Sequence, residues 1–174
     1  MTTERQQAEI RTFLLPLKLD DSNDPVFCLF SQNQVVEIIG RRSVQPIPFS
    51  PVFLKGVVNY NNRLLPVINL DELCSRKKTP RPEEYQQLMV LRTGAVDAAT
   101  GEPLKAVVTA STRVRIVKLS GQMMAAAFVE QEAPPSLKAS GVLRGFYQQQ
   151  DNQIALLDLS RVVSGTSGEV VGGF

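Results

Sequence analysis

Residues 53–70 read FLKGVVNYNNRLLPVINL. Two runs rich in valine, leucine and isoleucine flank Asn61-Asn62, and asparagine tolerates the positive φ angles that a tight hairpin turn demands. The stretch predicts a hairpin with arms Gly56 to Tyr60 and Arg63 to Leu70. Pro66 has no N–H to give a ladder and, taken alone, reads as a strand breaker. Phe53-Leu54-Lys55 reads as one helical turn before Gly56. Asp71-Glu72-Leu73-Cys74 reads as a short helix capped by Asn69 or Asp71.

The same unit occurs twice. LKGVVNYNNRLLPVINLDEL (54–73) lies without a gap over LRGFYQQQDNQIALLDLSRV (143–162), an offset of 89 residues with Leu54 on Leu143 and Gly56 on Gly145. A weaker match at an offset of 78 sets Cys28-Leu29-Phe30 over Ala106-Val107-Val108, and Val36-Glu37-Ile38 over Val114-Arg115-Ile116. Each half thus carries strand, strand, spacer, glycine-led hairpin and short helix. One account of this is a duplicated β unit whose pattern reflects packing alone. The other is two small barrel-like lobes with a shared core and a groove between them, since about five strands suffice to curl and hide their edges.

Outward from the repeat, β-branched runs continue to favour strands. Phe13 to Leu19 alternates with period two, and Pro16 places that strand at an edge or a bulge. Residues 20–25 (DDSNDP) form a turn; Val26 to Phe30 and Val35 to Ile39 are strands. Pro46, Pro48 and Pro51 force an extended passage. The charged segment SRKKTPRPEE leads into a strand from Gln87 to Thr93. The loop Gly94 to Gly101 joins it to a partner from Pro103 to Ala110. In the run that follows, Val114, Ile116 and Leu119 are expected in the core. Met123 to Phe128 reads as a helical turn or an apolar plug in which core filling outweighs an adaptable binding surface. Val142 to Gln148 and Gln153 to Leu159 form the last hairpin.

Composition narrows the function. The chain has 174 residues, 43% hydrophobic and 21% charged, with a net charge of +2, the profile of an ordinary globular protein. Its longest basic run, Arg76-Lys77-Lys78, lacks interleaved aromatics and reads as a solvated loop rather than a nucleic-acid patch. No stretch approaches the roughly 18 apolar residues of a membrane span. The N-terminus lacks an apolar leader, so a cytoplasmic location is expected. Histidine is absent, which removes the commonest general base and the commonest transition-metal ligand. Cys28 and Cys74, far apart in sequence, are expected to be free buried thiols, and neither a disulfide nor a zinc site is expected. No phosphate loop, nucleophile elbow or paired-carboxylate motif occurs. The expectation is no enzyme, no cofactor and no metal.

One family resembles these residues. IPFSPVFLKGVVNYNNRLLPVINLDEL is similar to the signature of the CheW-like domain, in which isoleucine-proline, a proline-led turn, Lys-Gly and a Val-Pro-Val-x-x-Leu strand recur at this spacing. VFCLFSQNQVVEIIG resembles the preceding strand pair and LRGFYQQQDNQIALLDLSRVV the closing hairpin and helix. The resemblance implies an all-β fold of two five-stranded SH3-like β-barrel subdomains related by internal duplication, with short helices. The domain would span 12–163, with subdomains of roughly 20–85 and 86–160 and a terminal strand crossing over. Residues 1–11 and 164–174 would be flexible ends. Pro66 becomes an expected edge or bulge position.

The resemblance further implies a non-catalytic adaptor that couples a CheA-type histidine kinase, through its regulatory domain, to the cytoplasmic tip of chemoreceptors or another sensory input. The candidate partner-binding residues are Val35, Glu37, Lys55, Gly56, Asn59, Asn61, Asn62 and Arg63. Glu37 matches the family's Val-x-Glu element, and Gly56 its Lys-Gly, where the glycine serves either binding or backbone conformation. The sequence departs from the family at the hairpin tip. Asn61 stands where an arginine is usual and makes receptor or array contacts, and the positive charge falls two positions later, on Arg63. This keeps open a kinase-binding module that does not engage receptors, and, from another class, a small β-barrel enzyme or ligand carrier.

Overall fold

The computed structural model describes residues 9–75, 87–110, 114–119 and 129–164. The SRKKTPRPEE segment after Ser75, the run Met123 to Phe128, and residues 1–8 and 165–174 lie outside the described residues, whereas Ile10 and Arg11, expected in a flexible end, belong to a strand. The described chain is mostly β, with two sheets and three short helices. One sheet has six strands: β1 (Ile10–Leu17), β2 (Val26–Ser31), β8 (Arg115–Leu119), β9 (Val129–Glu130), β10 (Leu143–Gln149) and β11 (Asn152–Leu157), ordered β8-β1-β2-β11-β10-β9. The other has five: β3 (Val35–Gly40), β4 (Leu54–Tyr60), β5 (Arg63–Ile68), β6 (Gln87–Val96) and β7 (Pro103–Ala110), ordered β3-β6-β7-β5-β4. The helices are α1 (Leu70–Ser75), α2 (Pro135–Ala139) and α3 (Ser160–Val163).

The duplication is written into the strand registers. Under the offsets of 89 and 78, the parallel pair Val67–Val107 of β5 and β7 maps to Leu156 opposite Leu29. That continues the observed parallel pairs Ile154–Phe27 and Ala155–Cys28 of β11 and β2. Both hairpins also break register at the same place, between Leu54 and Gly56 and between Leu143 and Gly145. The repeat unit and the sheet nevertheless divide the chain differently. β3 follows β2 in sequence but pairs with β6, and β8 follows β7 but pairs with β1. The five-stranded sheet is therefore one contiguous stretch from Val35 to Ala110, inserted between two strands of the other sheet.

Burial explains why so many strands read as unbroken apolar runs, a pattern expected when both faces of a sheet are covered. Met89, Leu91, Ala106, Val108 and Ile68 face one large cluster, together with Leu15, Cys28, Phe30, Ala155 and Leu157 of the other sheet. Their neighbours Leu88, Val90, Val107, Val67 and Leu65 face a separate cluster inside the five-stranded barrel. Leu14, Phe27 and Ile154 do the same in the six-stranded one. Successive residues of a strand thus supply a shared core and a private core by turns.

Local signals behave as the residue types dictate. Asn61 and Asn62 both hold positive φ, 50° and 61°, so the turn takes the primed form that matches strand twist. Asn69 caps α1: its side-chain oxygen accepts the Glu72 N–H at 3.1 Å. Pro66 faces Val57 of β4 at a point where β7 has not begun to pair, and Pro16 likewise lies beyond the end of β8. Cys28 and Cys74 are free and buried, and burial pushes both thiols up, Cys74 to about 12.

Further expectations are corrected. Gly94 to Val96 extend β6 and do not open the loop to Gly101. Leu54 and Lys55 are strand, not a helical turn, because Leu54 pairs with Ile68 across the bulge. Ile116 is 57% exposed rather than in the core. It lies opposite Phe13 on β8, the strand that ends the six-stranded sheet, whereas Leu119 on the same strand is buried.

Candidate functional site

The eight candidate residues divide into two groups. Glu37, Asn59, Asn61, Asn62 and Arg63 are exposed. Val35, Lys55 and Gly56 are held by the interior. Val35 packs against the shared core. The Lys55 ammonium forms an ion pair with the carboxylate of Glu72, whose side chain has no exposure. Gly56 has φ +140°, and a Cβ there would sit 2.0 Å from the Gln45 carbonyl oxygen. Gln45 needs that approach, since it exchanges two backbone hydrogen bonds with Val57, 2.9 and 2.8 Å long. The conformational reading of this glycine is the one the geometry supports.

At the exposed end, the Tyr60 hydroxyl donates to the Glu37 carboxylate at 2.8 Å. That bond raises the pKa of Tyr60 above its ordinary value. Tyr60 was not among the sequence candidates, although it adjoins the turn; half-buried, it also packs against the private core of this barrel. Arg63 reaches sideways to Glu102 in the β6–β7 loop, 2.9 Å away, with both side chains more than half exposed. That loop is shaped by Asp97, whose carboxylate accepts the N–H groups of Ala99 and Thr100 at 2.8 and 3.1 Å. These bonds hold the Asp97 carboxyl below the usual range.

A second feature lies between the sheets. A groove of about 380 Å³ is floored by Leu29, Phe30, Leu91 and Leu156, so both sheets contribute apolar surface to it. Its rim is a chain of polar contacts. Arg144 binds Asp158 through Nε at 3.0 Å and Nη2 at 2.5 Å. Asp158 accepts the Ser160 N–H at 2.9 Å, and the Ser160 hydroxyl accepts the Gly94 N–H at 3.0 Å. Ser160 first and Arg144 second hold the Asp158 carboxyl down at about 2. The chain runs from β10 in one sheet to β6 in the other. On the opposite side, residues 32–34 strap the sheets together: the Arg92 N–H donates to the Gln34 carbonyl at 2.7 Å, and the Gln32 N–H to that of Arg11 at 2.9 Å.

These features can hold a protein segment by shape and by polar contacts. Among the described residues, no three His, Cys, Asp or Glu side chains come together as metal ligands, and no helix is long and apolar enough to cross a membrane.

The family model of the CheW-like domain matches residues 18–167. The chain belongs to the CheW-like domain family. Among solved structures, the CheW-like fold seen here is similar to that of the scaffolding protein TtCheW from Thermoanaerobacter tengcongensis, with a TM-score of 0.59 and 14% identity over 93% of this chain and 92% of that one. No curated protein sequence matches it. The groove of this CheW-like domain falls between its six-stranded and five-stranded sheets.

Proposed function

We propose that the protein is a non-catalytic adaptor that joins a CheA-type histidine kinase to chemoreceptors or another sensory input. The observation that carries this is membership of the CheW-like family along nearly the whole chain. Exposed Glu37 marks the face offered to the kinase regulatory domain, and the hairpin tip, Asn59, Asn61, Asn62 and Arg63, supplies the receptor or array contact. The inter-sheet groove, apolar on its floor and polar at its rim, takes an apolar ridge of a receptor's helical hairpin, a helix-in-groove contact. Output then depends on position: the adaptor holds input and kinase at a fixed separation and orientation, and no bond is made or broken.

A second reading has one observation in its favour. The tip arginine, Arg63, is engaged by Glu102 within the same molecule, and Asn61 offers no charge. This suits a kinase-binding module that does not engage receptors.

Calorimetry with two probes separates the readings. The regulatory domain of a CheA-type kinase and the cytoplasmic fragment of a receptor, both from the same organism, are titrated separately. Binding of both supports the coupling adaptor; binding of the kinase domain alone supports the second reading; binding of neither overturns both.

A further inference from the structure

The passage between β3 and β4 contains PIPFSPVF (46–53), and at its centre Phe49 is 105% exposed. Its φ is +58°, a left-handed conformation that is uncommon for a residue with a bulky side chain. The protein therefore bears two costs at one residue, backbone strain and an aromatic ring in water. The segment is nonetheless firmly held. Gln45 is bridged to Val57, the Ser50 hydroxyl donates to the Leu54 carbonyl at 3.1 Å, and the Leu54 N–H donates to that of Pro51 at 2.9 Å. Pro46, Pro48 and Pro51 fix three further φ angles. Ile47 and Val52, 39% and 46% exposed, widen the apolar tip.

The sequence flanking this finger carries charge of one sign. No Asp or Glu occurs between Glu37 and Asp71, whereas Arg41, Arg42, Lys55 and Arg63 do. Lys55 and Arg63 are paired with Glu72 and Glu102. Arg42 lies exposed where the passage leaves β3.

We propose that Phe49 is a preformed anchor that inserts into an apolar socket, rimmed by carboxylates, on the kinase regulatory domain. The proposal rests on the adaptor reading above. Buried aromatic anchors in close-fitting pockets dominate the energy of protein contacts, and a strained but fixed anchor loses little entropy on docking. Carboxylates on the socket's rim complement Arg42. A lipid surface accepts a ring in any orientation and gains nothing from a fixed geometry, so a protein socket is the better match.

The kinase regulatory domain is the probe, titrated by calorimetry against the wild type, Phe49→Gly, Phe49→Ser and Arg42→Glu. Glycine relieves the positive φ, so Phe49→Gly should raise the melting temperature while weakening binding at least about tenfold. Phe49→Ser should weaken binding to the same degree, and Arg42→Glu should weaken it and reduce its salt dependence. Unchanged affinity in both Phe49 variants, or a lower melting temperature for Phe49→Gly, overturns the anchor and leaves the adaptor reading standing. Unchanged affinity in Arg42→Glu overturns the carboxylate rim. No binding by the wild type overturns anchor and adaptor together. Sedimentation with phosphatidylglycerol vesicles that is lost in Phe49→Ser overturns the protein socket in favour of a membrane.

Discussion

Glu37 and Tyr60 lie on the two edge strands of the five-stranded sheet, yet a 2.8 Å hydrogen bond joins them. The sheet has therefore curled until β3 meets β4, and this contact closes it where no ladder does. Removing the carboxylate should let Tyr60 ionise at lower pH: Glu37→Gln is expected to bring its titration back toward the ordinary tyrosine value, as followed by near-ultraviolet absorbance against Tyr60→Phe. An unchanged titration would mean that the bond does not persist in solution.

The two hairpin glycines should differ in their tolerance of a methyl group. At Gly56 a Cβ would strike backbone, the Gln45 carbonyl, in a conformation that L side chains rarely adopt. At Gly145 it would meet the ring of Tyr147 at 2.6 Å, which can turn aside. Gly56→Ala is expected to cost about 3 kcal/mol or more and Gly145→Ala nearer 1. Urea unfolding of both variants checks the order.

Asp158 predicts an acid limb in the stability curve. In the fold its carboxyl is held at about 2, below the ordinary aspartate value of about 3.9. A depressed folded pKa stabilises the fold above the unfolded value, and that contribution is lost as pH falls from about 4 toward 2. Arg144→Ala weakens the pairing, so the variant should lose less stability across that window than the wild type does. Parallel melting curves for the two proteins would count against the rim contact.

At the tip, Arg63→Glu should leave the melting temperature nearly unchanged, because an exposed pair contributes about 0–1 kcal/mol. Together with Asn61→Asp it should weaken binding of the partner domain. A matching loss of stability would make the tip structural instead.

Asn69→Ala should cost about 1 kcal/mol by removing the cap of α1. A chemical denaturation series reads the difference directly.

Much of this fold was legible in the sequence because the chain states it twice. The offsets 89 and 78 survive as equal registers in the two sheets, and Asn61-Asn62 announced their turn by residue type alone. What stayed hidden is set by pairing across long separations. Likeness between two strands says nothing about which neighbour each selects, so the exchange of β3 and β8 left no local trace. For the same reason Ile116 looked like core, and Tyr60 gave no sign of its partner 23 residues away. Among the site candidates, Gly56 shows the limit most plainly. A glycine kept for close approach and one kept for binding look alike until the facing backbone is in view.

The insertion of residues 35–110 between β2 and β8 has a mechanical consequence. The inserted barrel is tethered to its host at two points, and the core beneath is common to both. A body fixed by a single linker swings on it, whereas one fixed at both ends can only shear by small amounts. Two sheets joined in this way keep their spacing and orientation, which is what the proposed adaptor role asks of them.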